Sequence, residues 1–313
     1  MKLLDLYPEN LVVPVQNTRY RTHAELAFSH GVAVQFSSNH IEVIKQERII
    51  RIHKSHIIYL NAIIRYFEFY WESVEPINEF GKLLCDFTPY RYHHVTGFDL
   101  MPVLFPSLAE PVATINQYLD FAGLHEGQTV IDLGAYAGLS SILFKEKVGN
   151  EGRVIALEPD PINFRCAEVN INLFKRLTGQ EVELLKTAVW INDAGIDFSA
   201  DGCMGSSAEE YIGARGESIR VLSTTLDQLF QHKSITSVDL LKCDIEGAED
   251  KIFQHSKYVQ SSVKKMVVEI HKPPNGLTSD VLIPQLEKLG FQCELVMQYG
   301  VDLPLLYAVN INL

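Results

Sequence analysis

The sequence predicts an α/β fold: a doubly wound, mostly parallel sheet preceded by a smaller α+β region. Three observations carry this. From about Pro111, short apolar runs alternate with longer stretches of helical periodicity, the β-α-β rhythm of a parallel sheet. Inner runs such as Val154-Ile155-Ala156-Leu157 and Met266-Val267-Val268 are apolar throughout, as strands covered by helices on both faces must be. Before Pro111 the rhythm differs, with short alternating strands, one apolar helical stripe and a stretch broken by prolines.

In the first region Val32, Val34 and Phe36 alternate with Ala33 and Gln35. Ser37-Ser38-Asn39 turns the chain, residues 41–44 return as a partner strand, and residues 48–53 make a third. A helix is expected from about Lys54, because Ile57, Leu60, Ile64, Phe67 and Trp71 recur every three or four residues; Glu75-Pro76 stops it. Residues 77–110 contain Pro89, Pro102 and Pro106 and read as an irregular connector or lid.

Beyond it the expected order is helix 112–122, strand 129–133, helix 140–148, strand 154–158, helix 161–176 and strand 181–189. Asn192-Asp193-Ala194-Gly195 then turns into an inserted hairpin at 196–199, and a Gly/Ser-rich loop follows at 201–207. Strand 238–244, helix 248–254, strand 265–271, helix 279–289 and strands 291–297 and 305–311 complete the chain. The expected domains are residues 1–110, a capping, oligomerisation or substrate unit, and residues 111–313, which carry the chemistry.

Composition removes several classes. With 47% hydrophobic and 21% charged residues the chain is not intrinsically disordered. Five well-spread Cys exclude a disulfide scaffold and a Cys-rich zinc module, and they fit a reducing, cytoplasmic compartment. A net charge of −12 argues against nucleic acid as a partner. Most of that charge lies late: residues 1–108 hold ten Lys/Arg against 11 Asp/Glu, and the remainder 17 against 28. The most apolar stretch, Ile57 to Trp71, is interrupted by Asn61, Arg65 and Glu68 and is too short to span a bilayer, so no membrane association is expected. Its stripe must still be covered, either by the rest of this chain or by a second copy in a homodimer.

In doubly wound sheets ligands bind beyond the carboxyl ends of the strands, at the switch point. This places Val130-Ile131-Asp132-Leu133-Gly134-Ala135-Tyr136-Ala137-Gly138 in focus, an Asp-x-Gly-x-x-x-Gly turn. Gly134 permits the tight turn, Gly138 permits close approach, and the helix behind offers N–H groups to an anion. A dinucleotide site would need Gly where Tyr136 stands, and Asp132 would repel a pyrophosphate but suit an ammonium group. A ligand with ammonium, carboxylate and ribose describes S-adenosylmethionine. Glu158, ending the next strand before Pro159, stands where a carboxylate accepts ribose hydroxyls. Ala135, Tyr136, Ala188 and Val189 complete the expected cofactor contacts, with Asp244.

Two later strand ends carry further acids. Leu241-Lys242-Cys243-Asp244-Ile245-Glu246-Gly247-Ala248-Glu249 puts Asp244 at the binding edge and Glu246 just beyond, with Glu249 suited to the first turn of a helix. Val267-Val268-Glu269-Ile270-His271 puts Glu269 and His271 on one face of a strand. His271 reads either as a proton acceptor or as a structural histidine.

These motifs resemble the FkbM family of S-adenosylmethionine-dependent methyltransferases. The resemblance rests on Val130 to Ala135 with Gly138, on Leu157-Glu158-Pro159 with Asn170 and Asn172, on residues 223–229 with Thr225-Leu226-Asp227, and on Lys242 to Glu249. It covers about 129–271 and implies the Rossmann-like class I methyltransferase fold, acting on hydroxyl groups of sugars or polyketide-type metabolites. The family commonly has Asn where this chain has Tyr136. Residues 1–110 fall outside the resemblance.

The expected activity is therefore S-adenosylmethionine-dependent O-methylation of a small-molecule or glycan-like acceptor. The expected catalytic residues are Asp244 and His271 as candidate bases and Glu246 for positioning. N-methylation and non-catalytic binding of an adenosyl ligand are the alternatives. No metal is expected: Asp244, Glu246 and Glu269 offer hard oxygen ligands, but a sulfonium site explains such carboxylates equally.

Overall fold

The computed structural model describes residues 18–208, 217–254, 256–272 and 276–313. The chain enters through α1 (Thr18–Ser29) and a meander, β1 (Ala33–Phe36), β2 (His40–Lys45) and β3 (Arg48–His53). Alternation sets its register: Val43 and Ile50 lie opposite one another and are both buried. The long helix expected next is three pieces, a 3-10 turn at Lys54–Tyr59, α2 (Leu60–Arg65) and α3 (Phe67–Trp71). The break falls at Tyr66, whose backbone leaves helical geometry (φ −116°, ψ 41°) and whose hydroxyl donates to Asp302. The stripe itself is real. Leu60, Ile64, Phe67 and Trp71 are buried in one apolar cluster with residues of the same chain, so a second copy is not needed to cover them.

Residues 77–110 are not a connector. They form β4 (Ile77–Glu79), β5 (Lys82–Phe87), β6 (Arg91–Val95) and β7 (Phe98–Phe105). The prolines are accommodated at the places a sheet tolerates them. Pro89 sits in the turn before β6, and Pro102 lies where the β6–β7 register shifts. β4 and β5 extend the meander to five strands in the order β1-β2-β3-β5-β4, with β3 and β5 parallel.

The second half follows the expected rhythm closely: α4 (Val112–Ala122), β8 (Thr129–Leu133), α5 (Leu139–Val148), β9 (Arg153–Leu157), α6 (Pro161–Thr178) and β10 (Glu183–Leu185). The strand expected over 181–189 is split, its end forming β11 (Ala188–Val189) in a separate pairing with β15 (Ser223–Thr224). Between them lies an inserted sheet of β12 (Ile196–Ala200), β13 (Ser207–Ala208) and β14 (Glu217–Val221). Then come α7 (Leu226–His232), β16 (Val238–Cys243), α8 (Glu249–Gln254), α9 (Tyr258–Ser262), β17 (Val263–Glu269), α10 (Ser279–Lys288), β18 (Phe291–Met297) and β19 (Pro304–Asn310). The central sheet has the order β10-β9-β8-β16-β17-β19-β18. All of it is parallel except β19, which runs against both neighbours. The winding reverses between β8 and β16, so the switch-point crevice lies beyond Leu133 and Cys243.

One apolar cluster joins the meander, α2, α3 and β7 to α4, α5, α6 and one face of the central sheet; a second fills the other face. Asn170 of α6 fastens the two halves. Fully buried, it accepts from the Leu104 N–H and donates to the Leu104 and Ala137 carbonyls, each at 2.9 Å. Its amide acts as a one-residue strand partner on the free edge of β7. Among the described residues, no helix is long and apolar enough to cross a membrane.

Candidate functional site

At the end of β8 the chain turns so tightly that the Gly134 and Ala135 N–H groups both donate to the Leu157 carbonyl at 3.0 Å. Gly134 has φ +80°, and a Cβ there would stand 1.8 Å from the Asp244 carbonyl oxygen. Only glycine lets β8 and β16 end side by side. Tyr136 follows with φ +50°; its N–H donates to Glu158 and its hydroxyl bonds to the Leu108 carbonyl and Ser107, each at 2.8 Å. Gly138 begins α5 with φ +82°.

A cavity of about 280 Å³ opens against this turn, near the lower end for ligand pockets. Gly134, Tyr136, Glu158, Pro159, Ala188 and Val189 of the expected cofactor set line it, and so do Asp244 and Glu246. Ala135, Gly138, Asp132 and His271 lie outside the lining. Tyr59, Phe69 and Tyr70, from the region before residue 110, supply aromatic walls. The Gly/Ser-rich loop is tied beside it, because Asp160 caps α6 with one carboxylate oxygen and takes the Gly202 N–H and Ser206 hydroxyl with the other.

Asp132 does not present a carboxylate to a ligand ammonium. It is fully buried, accepts from the Ser140 and Ser141 hydroxyls at 2.8 and 2.6 Å, and lies 3.2 Å from the Lys242 ammonium. Lys242 also donates to the Gly134 carbonyl at 2.6 Å and stands 3.7 Å from Asp244. Burial works to lower the Lys242 pKa, but Asp132, Asp244 and Glu110 outweigh it and hold the ammonium charged. The lysine is thus an internal counter-ion that braces the switch point, a role the sequence reading did not assign.

Glu110, just before α4, was also missed. It lines the cavity, and its buried Oε2 has no hydrogen-bond partner. Burial pushes its carboxyl up to about 8, with Lys242 partly opposing. A buried acceptor without a donor is costly unless a ligand supplies one. Glu110 therefore fits the ammonium that sequence reasoning had sent to Asp132. Glu158 accepts from the Tyr136 and Asp160 N–H groups at 2.8 and 2.9 Å, and burial pushes it too up to about 8.

The acids of β16 and β17 converge. Asp244 Oδ1 and Glu246 Oε1 lie 3.6 and 3.8 Å from His271 Nε2. His271 Nδ1 stands 2.9 Å from Glu249 Oε1, which also accepts from the Gly247 N–H. Glu249 is fully buried, so its structural reading survives in a different form: it holds His271. Burial alone would lower the His271 pKa, but Glu249, Glu246 and Asp244 hold it well above the usual histidine value. His271 lies outside the cavity lining, whereas Asp244, the other base expected from the sequence, borders it. Burial and the Asp244 carboxylate push Glu269 well above the usual carboxylate range, and the two carboxyls share a hydrogen bond.

A dinucleotide-binding sheet of this kind has six parallel strands, whereas here one strand beside the edge is reversed. Together with the Gly turn and the acids ending β9 and β16, that makes the molecule a class I methyltransferase in fold. Residues 132–293, just over half of the chain, match the family model for the methyltransferase FkbM domain, and the chain belongs to that family. No curated protein matches. Solved structures show similarity at low identity. A SAM-dependent methyltransferase from Aquifex aeolicus is 19% identical, with 63% of this chain and 89% of that one covered and a TM-score of 0.39. A methyltransferase FkbM from Methylobacillus flagellatus KT is 13% identical, covering 93% and 58%, with a TM-score of 0.40. A fibrillarin from Aeropyrum pernix with natively bound S-adenosyl-L-methionine is 13% identical, covering 89% and 99%, at 0.39.

Proposed function

We propose that this protein transfers a methyl group from S-adenosylmethionine to a hydroxyl of a small metabolite or glycan-like acceptor. The observation that carries the reading is a single cavity lined by Glu158, the Gly134 turn and Glu110 together with Asp244, Glu246 and Glu269. The first group of residues fits the cofactor. Glu158 would take the ribose hydroxyls, the open backbone at Gly134 would admit the amino-acid end, and Glu110 would take its ammonium.

When bound, S-adenosylmethionine supplies a methyl group already activated by its sulfonium. The protein's own residues do the rest. Lys242 fixes Asp244 from behind. Glu269 hydrogen-bonds to it, and Asp244 borders the cavity. There Asp244 receives the hydrogen bond of the acceptor hydroxyl and then its proton. Tyr59, Phe69 and Tyr70 pack against the acceptor and exclude water. His271 Nε2 faces the Asp244–Glu246 pair at 3.6 and 3.8 Å.

Two measurements test this. S-adenosylhomocysteine should stabilise the protein by about 2.7 kcal/mol at 100 times its Kd, and labelled methyl should pass to hydroxylated acceptors. Asp244→Asn should slow that transfer by about 100- to 10,000-fold while the protein still binds S-adenosylhomocysteine. Transfer to amines and to no hydroxyl would overturn the O-methyl reading in favour of N-methylation.

A further inference from the structure

The geometry points to a divalent-cation site at Asp244, Glu246 and His271, of the hard, oxygen-seeking kind that takes Mn2+ or Mg2+, at which the acceptor hydroxyl is held. This rests on the reading above of the cavity as a methyl-transfer site. One atom from each residue, a carboxylate oxygen or a ring nitrogen, comes within 4.8 Å of the others. The distances from Nε2 to the two carboxylates, 3.6 and 3.8 Å, are too long for hydrogen bonds. An inward movement of about half an ångström brings them to the roughly 3 Å that separates neighbouring ligands of an octahedral ion.

A second observation lies outside the three ligands. His271 turns Nδ1 to a fully buried carboxylate, Glu249 Oε1 at 2.9 Å. Glu249 is fixed in turn by the Gly247 N–H at 3.1 Å. A histidine pinned at Nδ1 by a buried carboxylate presents Nε2 in one orientation, the arrangement that supports metal-bound imidazoles. The remaining surroundings are acidic on several sides. Glu269 bonds to Asp244, and the ammonium beside it, that of Lys242, is shared between Asp132 and Asp244. Asp244 and Glu246 line the cavity, so three protein ligands leave positions open to an acceptor from that side.

Two carboxylates and one imidazole suit Mn2+ or Mg2+ better than the soft metals that prefer thiolates. The ion takes the place of the Nε2 proton, and it draws negative charge onto the acceptor oxygen as the hydroxyl ionises. The new bond runs from that oxygen to the methyl carbon. The S–CH3 bond breaks with its electron pair going to sulfur, and the hydroxyl proton passes to the Asp244 carboxylate. The sequence already held Asp244, Glu246 and Glu269 as oxygen donors. What it did not show is that His271 joins the first two, held there by Glu249.

The test uses the full chain, stripped with a chelator and titrated with Mn2+ by calorimetry and by the loss of the free-ion paramagnetic resonance signal. One Mn2+ per chain is expected. Glu246→Gln, at a side chain that is only 19% exposed but borders the cavity, should weaken binding at least tenfold. Glu249→Gln should weaken it by about 10–100-fold through the histidine alone, with the circular dichroism spectrum unchanged. S-adenosylhomocysteine binding is measured on the same stripped samples. A folded chain that binds S-adenosylhomocysteine and no Mn2+ overturns the metal site and leaves the methyltransferase reading standing. A chain that binds Mn2+ in a Glu246-dependent way and no S-adenosylhomocysteine does the reverse. Mn2+ binding unaffected by both variants also overturns the proposal.

Discussion

Asn170→Leu is the sharpest test of how the two halves are joined. The substitution keeps the branched four-atom shape and adds bulk, so it leaves no cavity, but it removes an amide that meets three main-chain groups. The Leu104 N–H, the Leu104 carbonyl and the Ala137 carbonyl each lose a 2.9 Å bond, the first two part-buried and the third buried. Each stranded group costs about 1–3 kcal/mol. Part of that is relieved by local adjustment, so the sum is about 3–6 kcal/mol. A chain of this size loses roughly 2 °C of Tm per kcal/mol, which gives a fall of about 6–12 °C. Differential scanning calorimetry measures it, with Asn172→Leu as the control. Asn172 shares the family motif but is exposed, so its replacement should shift Tm by about 1 °C or less. An Asn170→Leu melting point within 2 °C of the wild type would refute the strand-edge role. A normal melting point with lost S-adenosylhomocysteine binding would make Asn170 a ligand-binding residue instead.

Other outcomes follow from the buried charges. Lys242→Met should destabilise the fold by about 3–5 kcal/mol, because Asp132 is left fully buried without its cation; an unchanged urea midpoint would contradict this. Glu110→Gln should weaken S-adenosylmethionine binding by about 1–3 kcal/mol, read by calorimetry at pH 8, and equal affinities would return the ammonium to another residue. The Glu110 and Glu158 carboxyls, both pushed up to about 8 by burial, lie above their ordinary 4.5. Their contribution to stability is complete below about pH 4.5 and is lost as the pH rises through about 8. Cofactor affinity should run the other way and increase from pH 6 to 8, since an ammonium needs Glu110 ionised. Glu110→Gln should flatten that rise, and a wild-type affinity independent of pH would count against the assignment.

The parts of this molecule that were legible in the sequence are those fixed by local pattern. The bounds of α4, β8 and β18 fall where apolar periodicity put them, because the burial of each is decided by its own residues. The acids at strand ends were legible for the same reason: a carboxylate closing an apolar run belongs at the open edge of the sheet. β4 to β7 were lost because prolines count against strands one at a time, while the sheet places each proline where no ladder bond is missed. α7 was missed although Thr225 and Gln228 form a capping box, a signal that could have been read. The roles of Lys242 and Asn170 were out of reach of any local pattern. Their partners lie 108 and 66 residues away, and only the wound sheet brings them together.

Tyr136 shows how one position can join both kinds of information. The family resemblance marks it as a departure, Tyr in place of Asn, and the fold gives the reason Asn is favoured. The backbone there is left-handed, at φ +50°, a conformation Asn tolerates and a tyrosine adopts at a cost of about 1 kcal/mol. The offset lies outside the turn. The phenol bonds to Leu108 and Ser107, in the segment between β7 and α4, and the ring lies beside Phe105 at the end of β7. That same segment ends at Glu110, whose unpartnered oxygen borders the cavity. Tyr136 therefore does in this chain what an Asn is too short to do: it ties the cofactor turn to the strand that leads to Glu110, so that the N-terminal half and the binding turn take up one fixed relation.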